Sequence, residues 1–168
     1  MERTLKNGIT VRVRPIRAGD KDALSDALDH LSPASVHARF LGAKTRFSAS
    51  ELRYLTEVDG HDHVALVAEL ATEPGTIAGV GRWVRLPEAP QTAEFAIVVG
   101  DALQGQGLGS ILADDLVAIA KAHGITRFTA TALSENAAIA RIMARLSDHL
   151  ERHHSGLGVS ELSIDLAA

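Results

Sequence analysis

Hydrophobic positions in the first third of the chain follow first a strand period and then a helix period. Between residues 11 and 16, apolar side chains alternate with arginines, which predicts a strand with one exposed face. Asp20 is a candidate helix N-cap, and alanines and leucines recur at helical spacing after it. Shorter helical stretches follow Ser32 and then Ser48 or Ser50, and serine is a frequent helix N-cap. The pattern predicts one strand and then two or three helices.

The middle of the chain has the pattern of an antiparallel meander. Residues 64–68 are a short apolar run, and a Glu-Pro-Gly turn signal follows them. The next run contains Gly79 and Gly81, and glycine inside a strand marks a bulge or a close backbone approach. Residues 92–99 form a third strand beyond two prolines. We expect three neighbouring strands joined by hairpins.

Beyond the meander, a glycine-rich loop ends at Gly107 and the apolar stripe of a helix begins at Leu108. Three further elements are predicted, namely a strand over 127–132, a helix begun by Ser134 or Asn136, and a weakly alternating last strand over 159–166. Strand, glycine loop, helix and strand form a βαβ crossover, which is right-handed in nearly all proteins. No linker or repeat divides residues 1–168, so we expect a single domain.

Composition and charge narrow the classes of function. The 168 residues are 46% hydrophobic and 23% charged, close to globular averages. A net charge of −4 disfavours nucleic-acid binding, which usually requires an excess of lysine and arginine. The absence of cysteine excludes disulfides, thiolate catalysis and cysteine zinc sites. No apolar run approaches the ~18 residues of a membrane span and no signal-peptide core is present, so we expect a cytoplasmic protein without membrane contact.

The loop before the long helix is the strongest chemical signal. Its sequence, Gln104-Gly105-Gln106-Gly107-Leu108-Gly109, has glycine at three alternate positions at a helix start. The first helical turn has unpaired N–H groups and the positive end of the helix dipole, and glycines let a phosphate approach the main chain. The spacing fits neither the Gly-x-Gly-x-x-Gly of dinucleotide sites nor a P-loop. A tight turn alone is the simpler interpretation, but three glycines exceed what a turn needs, so we expect an anion site.

The loop and its surroundings resemble the GNAT family of N-acetyltransferases. Gln104-x-x-Gly107-x-Gly109, after a strand over 94–99, is similar to that family's acetyl-CoA signature, Gln/Arg-x-x-Gly-x-Gly/Ala. The order of elements fits the family fold from about residue 10 to residue 166. The resemblance implies an α/β (α+β) fold, a mixed and mostly antiparallel sheet flanked by helices, with the βαβ crossover at the acetyl-CoA loop. It also implies acetyl-CoA as acyl donor, no metal, and a primary amine as acceptor.

A finer resemblance is to the acetyltransferase domain of bacterial protein-lysine acetyltransferases. It rests on residues 31–35 leading to Arg39-Phe40, on 55–59 before the strand at 63–67, and on Ala93-Glu94. This resemblance implies a protein lysine as acceptor, while a small-molecule amine stays open. The family's habit implies a homodimer, which no residue pattern in this chain decides.

The resemblance also implies residues for each part of the reaction. Glu94 is the only carboxylate in the apolar stretch 93–99, and a glutamate at this strand position is the general base of the resembling enzymes; the alternative is a strand-edge glutamate facing water. Asn136 either bonds the pantetheine arm or is a plain helix cap. The resemblance implies that main-chain groups of three strand residues hold the pantetheine arm and polarise the thioester, namely Ile97, Val98 and Val99. It also implies that seven loop residues surround the pyrophosphate, namely Gln104, Gly105, Gln106, Gly107, Leu108, Gly109 and Ser110.

One departure from the family keeps a second function open. Many members have a tyrosine after the last helix as general acid, whereas the only tyrosine here is Tyr54. Ser134, Ser147 and His149 are weak substitutes, and a CoA thiolate with a pKa near that of cysteine can leave without an acid. A noncatalytic acyl-CoA-binding regulatory module is therefore an alternative, and a different nucleotide-binding α/β protein is a third interpretation.

Histidines and arginines outside the loop support weaker inferences. His61-Asp62-His63 and His153-His154 are expected in loops, where histidines without further ligands usually face solvent, so no metal site is expected. Trp83 is expected in the core or at a substrate groove. Arg82 and Arg85, on either side of it, could orient an acidic acceptor.

Overall fold

The computed structural model describes residues 1–166, and residues 167 and 168 of the expected single domain lie outside this part. The α-helices are α1 (Lys21–Asp29), α2 (Pro33–Phe40), α3 (Ala49–Thr56), α4 (Leu108–Ala122) and α5 (Ala137–Leu146). The strands are β1 (Glu2–Thr4), β2 (Thr10–Pro15), β3 (His63–Leu70), β4 (Ile77–Leu86), β5 (Ala89–Val99), β6 (Arg127–Leu133), β7 (Leu150–Gly156) and β8 (Val159–Asp165). In this part of the chain no helix is both long and apolar enough to cross a membrane.

The strands form one sheet in the order β1-β2-β3-β4-β5-β6-β8-β7. Every neighbouring pair is antiparallel except β5 and β6, which are parallel. The helix α4 connects these two parallel strands, so the βαβ crossover is confirmed. The observed fold is the predicted class, a mixed and mostly antiparallel sheet flanked by helices.

The parallel pair β5 and β6 separates after a short ladder. Their pairing ends at Glu94 with Thr129, although β5 continues to Val99 and β6 to Leu133. One edge of β5 is therefore free over residues 95–99. This opening in the sheet is where a ligand can lie against the main chain of β5.

Each face of the sheet has its own layer of helices. On one face, α4 and α5 pack on a core that includes Trp83, Phe95 and Phe128. On the other face, α1 and α3 pack on Val67 and Val80. Helices therefore cover the sheet on both faces.

The glycines of β4 allow α4 to lie close to the sheet. A Cβ at Gly81 would stand 2.7 Å from Leu116 Cδ1, and one at Gly79 would stand 3.2 Å from Leu108 Cδ2. Both leucines are buried in the α4 interface. The close backbone approach predicted for these two glycines is confirmed.

Three local predictions need correction. The edge strands β1 and β7 were not predicted, and His153-His154 lies on β7 instead of in a loop, because the pairing of β7 with β8 forms a strand that has no apolar alternation of its own. Asp20 occupies the predicted N-cap position of α1, but its side chain makes no capping hydrogen bond to the helix. Its carboxylate instead accepts two bonds from Arg14, both at 2.8 Å, and one from the N–H of Arg17 at 2.7 Å.

Candidate active site

The glycine loop leads directly into α4. Gly105 and Gly107 have φ of +74° and +94°, in the left-handed region that favours glycine. Gly107 is the N-cap of α4, and among the described residues no side chain caps this helix start. A Cβ at Gly109 would stand 2.9 Å from Ile142 Cδ1, so this glycine also lets α5 approach. The first N–H groups of α4 are left without helical acceptors and can bind an anion.

A groove of about 740 Å³ follows this helix start, a volume typical of ligand sites. It is lined by these residues predicted for the cofactor: Ile97, Val98, Val99, Gln104, Gly105, Gly107, Gly109, Ser110 and Asn136. Two other predicted residues do not line it. The carbonyl of Gln106 accepts the N–H of Lys6 at 3.1 Å, and the side chain of Leu108 is buried in the core.

The free edge of β5 presents main-chain groups to this groove. The N–H of Gly100 donates to the carbonyl of Ala78 on the β4 side, and the carbonyl of Gln91 accepts from Thr126 on the β6 side. Because main-chain groups alternate in direction along a strand, odd-numbered residues of β5 point toward β6. The N–H and C=O groups of Ile97 and Val99 therefore lie on the free edge, whereas those of Val98 point to β4.

Gln104 holds the loop against β5 and α2. Its Nε2 donates to the carbonyl of Val99 at 3.1 Å and to Ser35 Oγ at 3.0 Å. Asp101 accepts bonds from the N–H of Ser32 at 3.0 Å, from Ser32 Oγ at 2.7 Å and from Ser35 Oγ at 2.8 Å. Burial raises the pKa of Asp101, but these hydrogen bonds outweigh it and the pKa is lowered. The side chain of Gln104 thus positions the loop.

The groove is also lined by three basic side chains that no sequence signal indicated, namely Lys6, Arg141 and Arg145. Lys6 comes from the turn between β1 and β2, and its Cε lies 3.9 Å from where a Cβ of Gly107 would stand. Arg145 pairs with Asp114 at 2.6 Å. Only the folded chain brings Lys6 to the loop, so sequence spacing does not reveal it.

Glu94 is the last residue of β5 that pairs with β6, and the sheet opens directly beyond it. Its side chain is exposed, on the face covered by α1 and α3. Cross-strand pairing aligns it in a row with Val84 and His63, while Arg82 pairs with Ala96 in the next row. Glu94 and Arg82 are therefore diagonal neighbours on the same face. Within residues 1–166 the Glu94 carboxylate forms no ion pair or hydrogen bond, so it is free to meet a substrate.

A small cavity, here called the arginine chamber, lies on this face beneath α1, α2 and α3. It encloses about 60 Å³ and is lined by apolar side chains together with Arg39 and Arg82. Arg39 and Val98 line both the arginine chamber and the groove. The two spaces are therefore adjacent.

His63 holds one of these arginines in place. It is 9% exposed at the start of β3, so the expectation that it faces solvent is wrong; the strand begins at this residue and turns it beneath α3. Arg82 Nη1 donates to His63 Nε2 at 2.9 Å and to the carbonyl of Leu55 at 3.2 Å. Burial and then the charge of Arg82 lower the pKa of His63 to about 4, which keeps the ring neutral. The ring of Tyr54 packs on it, with centroids 4.9 Å apart.

The remaining candidate residues differ in whether they line the groove. The side-chain oxygen of Asn136 accepts the N–H of Ile139 at 3.3 Å, which confirms the helix cap, and the residue also lines the groove. Ser134 is hydrogen-bonded to Ser160 at 2.7 Å. In the described part of the chain, neither Ser134, Ser147 nor His149 lines the groove. None of the three is placed to protonate a leaving thiolate.

Comparison with protein families matches residues 31–157 to the acetyltransferase (GNAT) family. The match includes the strand with Glu94, the glycine loop and α4. The fold and the site define the same class, the acyl-CoA-dependent N-acetyltransferases. The chain therefore belongs to the acetyltransferase (GNAT) family.

Individual relatives agree with this class. The acetyltransferase Pat of Mycolicibacterium smegmatis is 32% identical over 161 residues, covering 95% of this chain and 47% of that protein. The acetyltransferase PA5475 of Pseudomonas aeruginosa is 31% identical over 138 residues, covering 81% of this chain and 73% of that protein. The crystal structure of the GNAT domain of S. lividans PAT has a TM-score of 0.87 at 30% identity, covering 99% and 96% of the two chains. This chain spans about half the length of the M. smegmatis relative.

Proposed function

We propose that the protein transfers the acetyl group of acetyl-CoA to a primary amine. Family membership supports this proposal, and one structural observation indicates which residues take part in the reaction. The sheet opens directly after Glu94, between a helix N-terminus suited to phosphate and a free strand edge suited to an extended amide chain. A thioester lying along that edge would have its reacting carbon close to Glu94.

In this proposal the donor is held mainly by main-chain groups. The pyrophosphate of acetyl-CoA binds the N–H groups at the start of α4, and Lys6 adds positive charge beside them. The pantetheine arm lies along the free edge of β5, where Ile97 and Val99 offer donors and acceptors. A main-chain N–H of this edge polarises the thioester carbonyl.

Glu94 is proposed as the general base. A lysine-type amine has a pKa near 10.4, so at neutral pH it arrives as an ammonium ion and must lose a proton. Glu94 takes that proton, and the neutral nitrogen attacks the thioester carbon. A C–N bond forms, the C–S bond breaks, and the CoA thiolate leaves and takes up a proton from the new ammonium or from solvent. Thiols ionise near pH 8.5, so the thiolate can leave without a protein acid.

The acceptor class follows from the resemblance to bacterial protein-lysine acetyltransferases, which favours a lysine side chain. A free small amine is compatible with the same chemistry. The second candidate function is a noncatalytic acyl-CoA-binding module. The single tyrosine, Tyr54, lies in α3 and not after α5, and this is the observation that favours the module.

Replacing Glu94 with glutamine tests the proposal. We expect Glu94→Gln to lower kcat by about 10² to 10⁴-fold, the usual contribution of a general base, and to leave the Kd for acetyl-CoA unchanged. Glu88→Gln, in the exposed turn between β4 and β5, is the matched control and should behave as wild type. Undiminished turnover in Glu94→Gln would remove Glu94 from the mechanism. Wild-type protein that binds acetyl-CoA but acetylates no amine would favour the module.

A further inference from the structure

Arg82 is a buried guanidinium without a carboxylate partner. Its residue is 6% exposed, and Nη1 bonds the carbonyl of Leu55 and the ring of His63. Within residues 1–166 its Nε and Nη2 donate to no acceptor, and it forms no ion pair. Buried charges in proteins are normally paired, because an unpaired one loses its hydration without compensation. Arg82 is also one of the residues that line the arginine chamber.

Arg39 brings a second positive charge to the same cavity. It is partly buried on α2, and its guanidinium carbon lies 5.0 Å from the centroid of the Phe40 ring. Among the described residues it makes no hydrogen bond or ion pair. Burial lowers the pKa of Arg82 to about 10, and the charge of Arg39 contributes to this shift. Arg39 and Arg82 thus bring two positive charges to one cavity.

The charges around the arginine chamber do not balance. Arg39 and Arg82 contribute two positive charges, and the carboxylate of Glu94, whose charge reaches Arg39, contributes one negative charge. His63 is neutral at physiological pH because its pKa is about 4. Asp59, which also faces His63, is exposed, and its Oδ1 accepts three main-chain N–H groups. One positive charge remains uncompensated, in a setting where an anion would be bound strongly.

We propose that the arginine chamber binds a carboxylate group of the acceptor, so that the preferred acceptor is an amine that carries a carboxylate nearby. This inference rests on the proposed function and narrows its substrate class. The ammonium end meets Glu94, and the carboxylate end meets Arg82 and Arg39. Diagonal neighbours on a sheet have Cβ atoms roughly 7–8 Å apart, so the two charged ends are separated by a short chain.

The cavity suits a carboxylate better than a larger anion. The planar guanidinium of Arg82 matches the two oxygens of a carboxylate, and charge-assisted bonds of this kind are among the strongest in proteins. A volume of about 60 Å³ holds a group of a few atoms, since one water needs roughly 10–15 Å³ by the same measure. The apolar walls, which include Leu28 and Phe47, suit the hydrocarbon between the two charged ends.

The carboxylate can belong to a free amino acid or to a residue beside the acceptor lysine of a peptide. Acetylation assays with two sets of acceptors separate these two sources. In one arm, ω-amino acids such as 6-aminohexanoate are compared with their neutral amides as acceptors. In the other arm, lysine peptides with an aspartate next to the lysine are compared with the same peptides carrying asparagine. The variants are Arg82→Gln and Arg39→Gln, and the matched control is Arg53→Gln, an arginine of α3 whose side chain is 68% exposed.

In at least one arm we expect kcat/KM for the carboxylate acceptor to exceed that for its neutral counterpart by about ten-fold or more, because the carboxylate acceptor has the lower KM. The ratio should fall toward one in Arg82→Gln and decrease in Arg39→Gln, and it should be retained in Arg53→Gln. Equal kcat/KM for both members of every pair in wild type would overturn the inference. So would an Arg82→Gln variant that slows both members equally, because the arginine would then act on the amine and not on a carboxylate.

Thermal unfolding in the presence of acceptor separates this inference from the proposed function. If no amine is acetylated, the proposed function fails, but stabilisation by 6-aminohexanoate and not by 6-aminohexanamide would still support the carboxylate site. That stabilisation should decrease in Arg39→Gln, which removes no protein hydrogen bond and so preserves the fold if Arg82→Gln does not. Equal stabilisation by both compounds would overturn the inference.

Discussion

His63 positions Arg82 without adding a charge to the arginine chamber. Its Nε2 accepts from Arg82 Nη1, and a protonated ring would instead place a second cation against the guanidinium. Burial is the main reason that its pKa falls to about 4, and the charge of Arg82 is the second. The histidine is therefore a neutral hydrogen-bond acceptor over the physiological range.

This lowered pKa predicts a loss of stability in mild acid. Between pH 6.5 and about 4 the unfolded chain protonates His63 while the folded chain does not, so falling pH favours unfolding. The slope reaches about 1.4 kcal/mol per pH unit, and the total loss is roughly 3 kcal/mol. Above pH 6.5 the ring is neutral in both states and contributes nothing. Urea unfolding of wild type and His63→Gln at pH 7.0, 5.5 and 4.5 measures the difference.

We expect the His63→Gln profile to be flatter than that of wild type over this window. Glutamine keeps an acceptor for Arg82 and removes the titration. The exposed His37 on α2 supplies the control, and His37→Gln should keep the wild-type slope. Parallel pH profiles for wild type and His63→Gln would show that the His63 pKa is not lowered.

Glu94 could be proposed from the sequence because its signal is local, a single carboxylate in an apolar strand. The groups around it could not, because Arg39 and His63 come to the same face of the sheet only through the packing of α2 and the register of β3, β4 and β5. The sequence offered Arg82 and Arg85 equally for an acidic acceptor. In the fold, Arg85 is bound to Asp62 at 2.7 Å, and only Arg82 faces the arginine chamber.

The helix α4 has a left-handed glycine at each end. Gly107 is its N-cap with φ of +94°, and Gly124 follows its last turn with φ of +74°. A Cβ at Gly124 would meet no atom within 4 Å, and one at Gly107 would meet only Lys6, at 3.9 Å. The two positions therefore have similar backbone demands, and only one of them borders the groove.

This pair separates backbone strain from cofactor binding. An alanine in left-handed conformation costs roughly 1–2 kcal/mol, so Gly107→Ala and Gly124→Ala should lower the free energy of unfolding by similar amounts. Only Gly107→Ala should also weaken acetyl-CoA binding, by about ten-fold, because it disturbs the N–H groups that we propose bind the pyrophosphate. Chemical unfolding and calorimetric titration of both variants measure the two effects. Equal Kd values for both variants would exclude the loop as the phosphate site.

Elements with a strong local pattern were predicted well. The start of α4 and the three-stranded meander both follow from periodicity and turn residues. Strand β7 was missed because nearly all of its residues are exposed and polar, and its pairing with β8 makes it a strand. Strand β1 is likewise a three-residue edge defined by its pairing with β2.

At the scale of the whole molecule, the N-terminal hairpin completes the groove. The N–H of Lys6 donates to the carbonyl of Gln106 at 3.1 Å, a contact across a hundred residues of sequence. The side chain of Lys6 lies over Gly107, and among residues 1–166 its ammonium forms no ion pair. A cation in this position would face the pyrophosphate.

We expect Lys6→Gln to raise the Kd for acetyl-CoA about five- to twenty-fold at low salt, as expected for the loss of one charge-assisted contact. The penalty should shrink as ionic strength rises, because salt screens the interaction. Lys121→Gln, near the far end of α4, is the control and should bind acetyl-CoA as wild type does. Titrations of the three proteins at two salt concentrations provide the measurement, and an unchanged Kd for Lys6→Gln at low salt would contradict this role.

The order of elements along the chain was predictable, but the opening of the sheet was not. Nothing in the residues of β5 or β6 indicates that their pairing ends at Glu94 and Thr129. Beyond that point β6 continues to pair with β8, and α4 and α5 pack on the core of the same sheet. The site therefore arises from long-range packing around one locally encoded loop.

The most direct test is a calorimetric titration of the protein with acetyl-CoA, with ATP and NAD as comparison ligands. We predict saturable binding of acetyl-CoA in the micromolar range and much weaker binding of ATP and NAD. An absence of acetyl-CoA binding, or tighter binding of either nucleotide, would contradict the assignment of the groove at the start of α4.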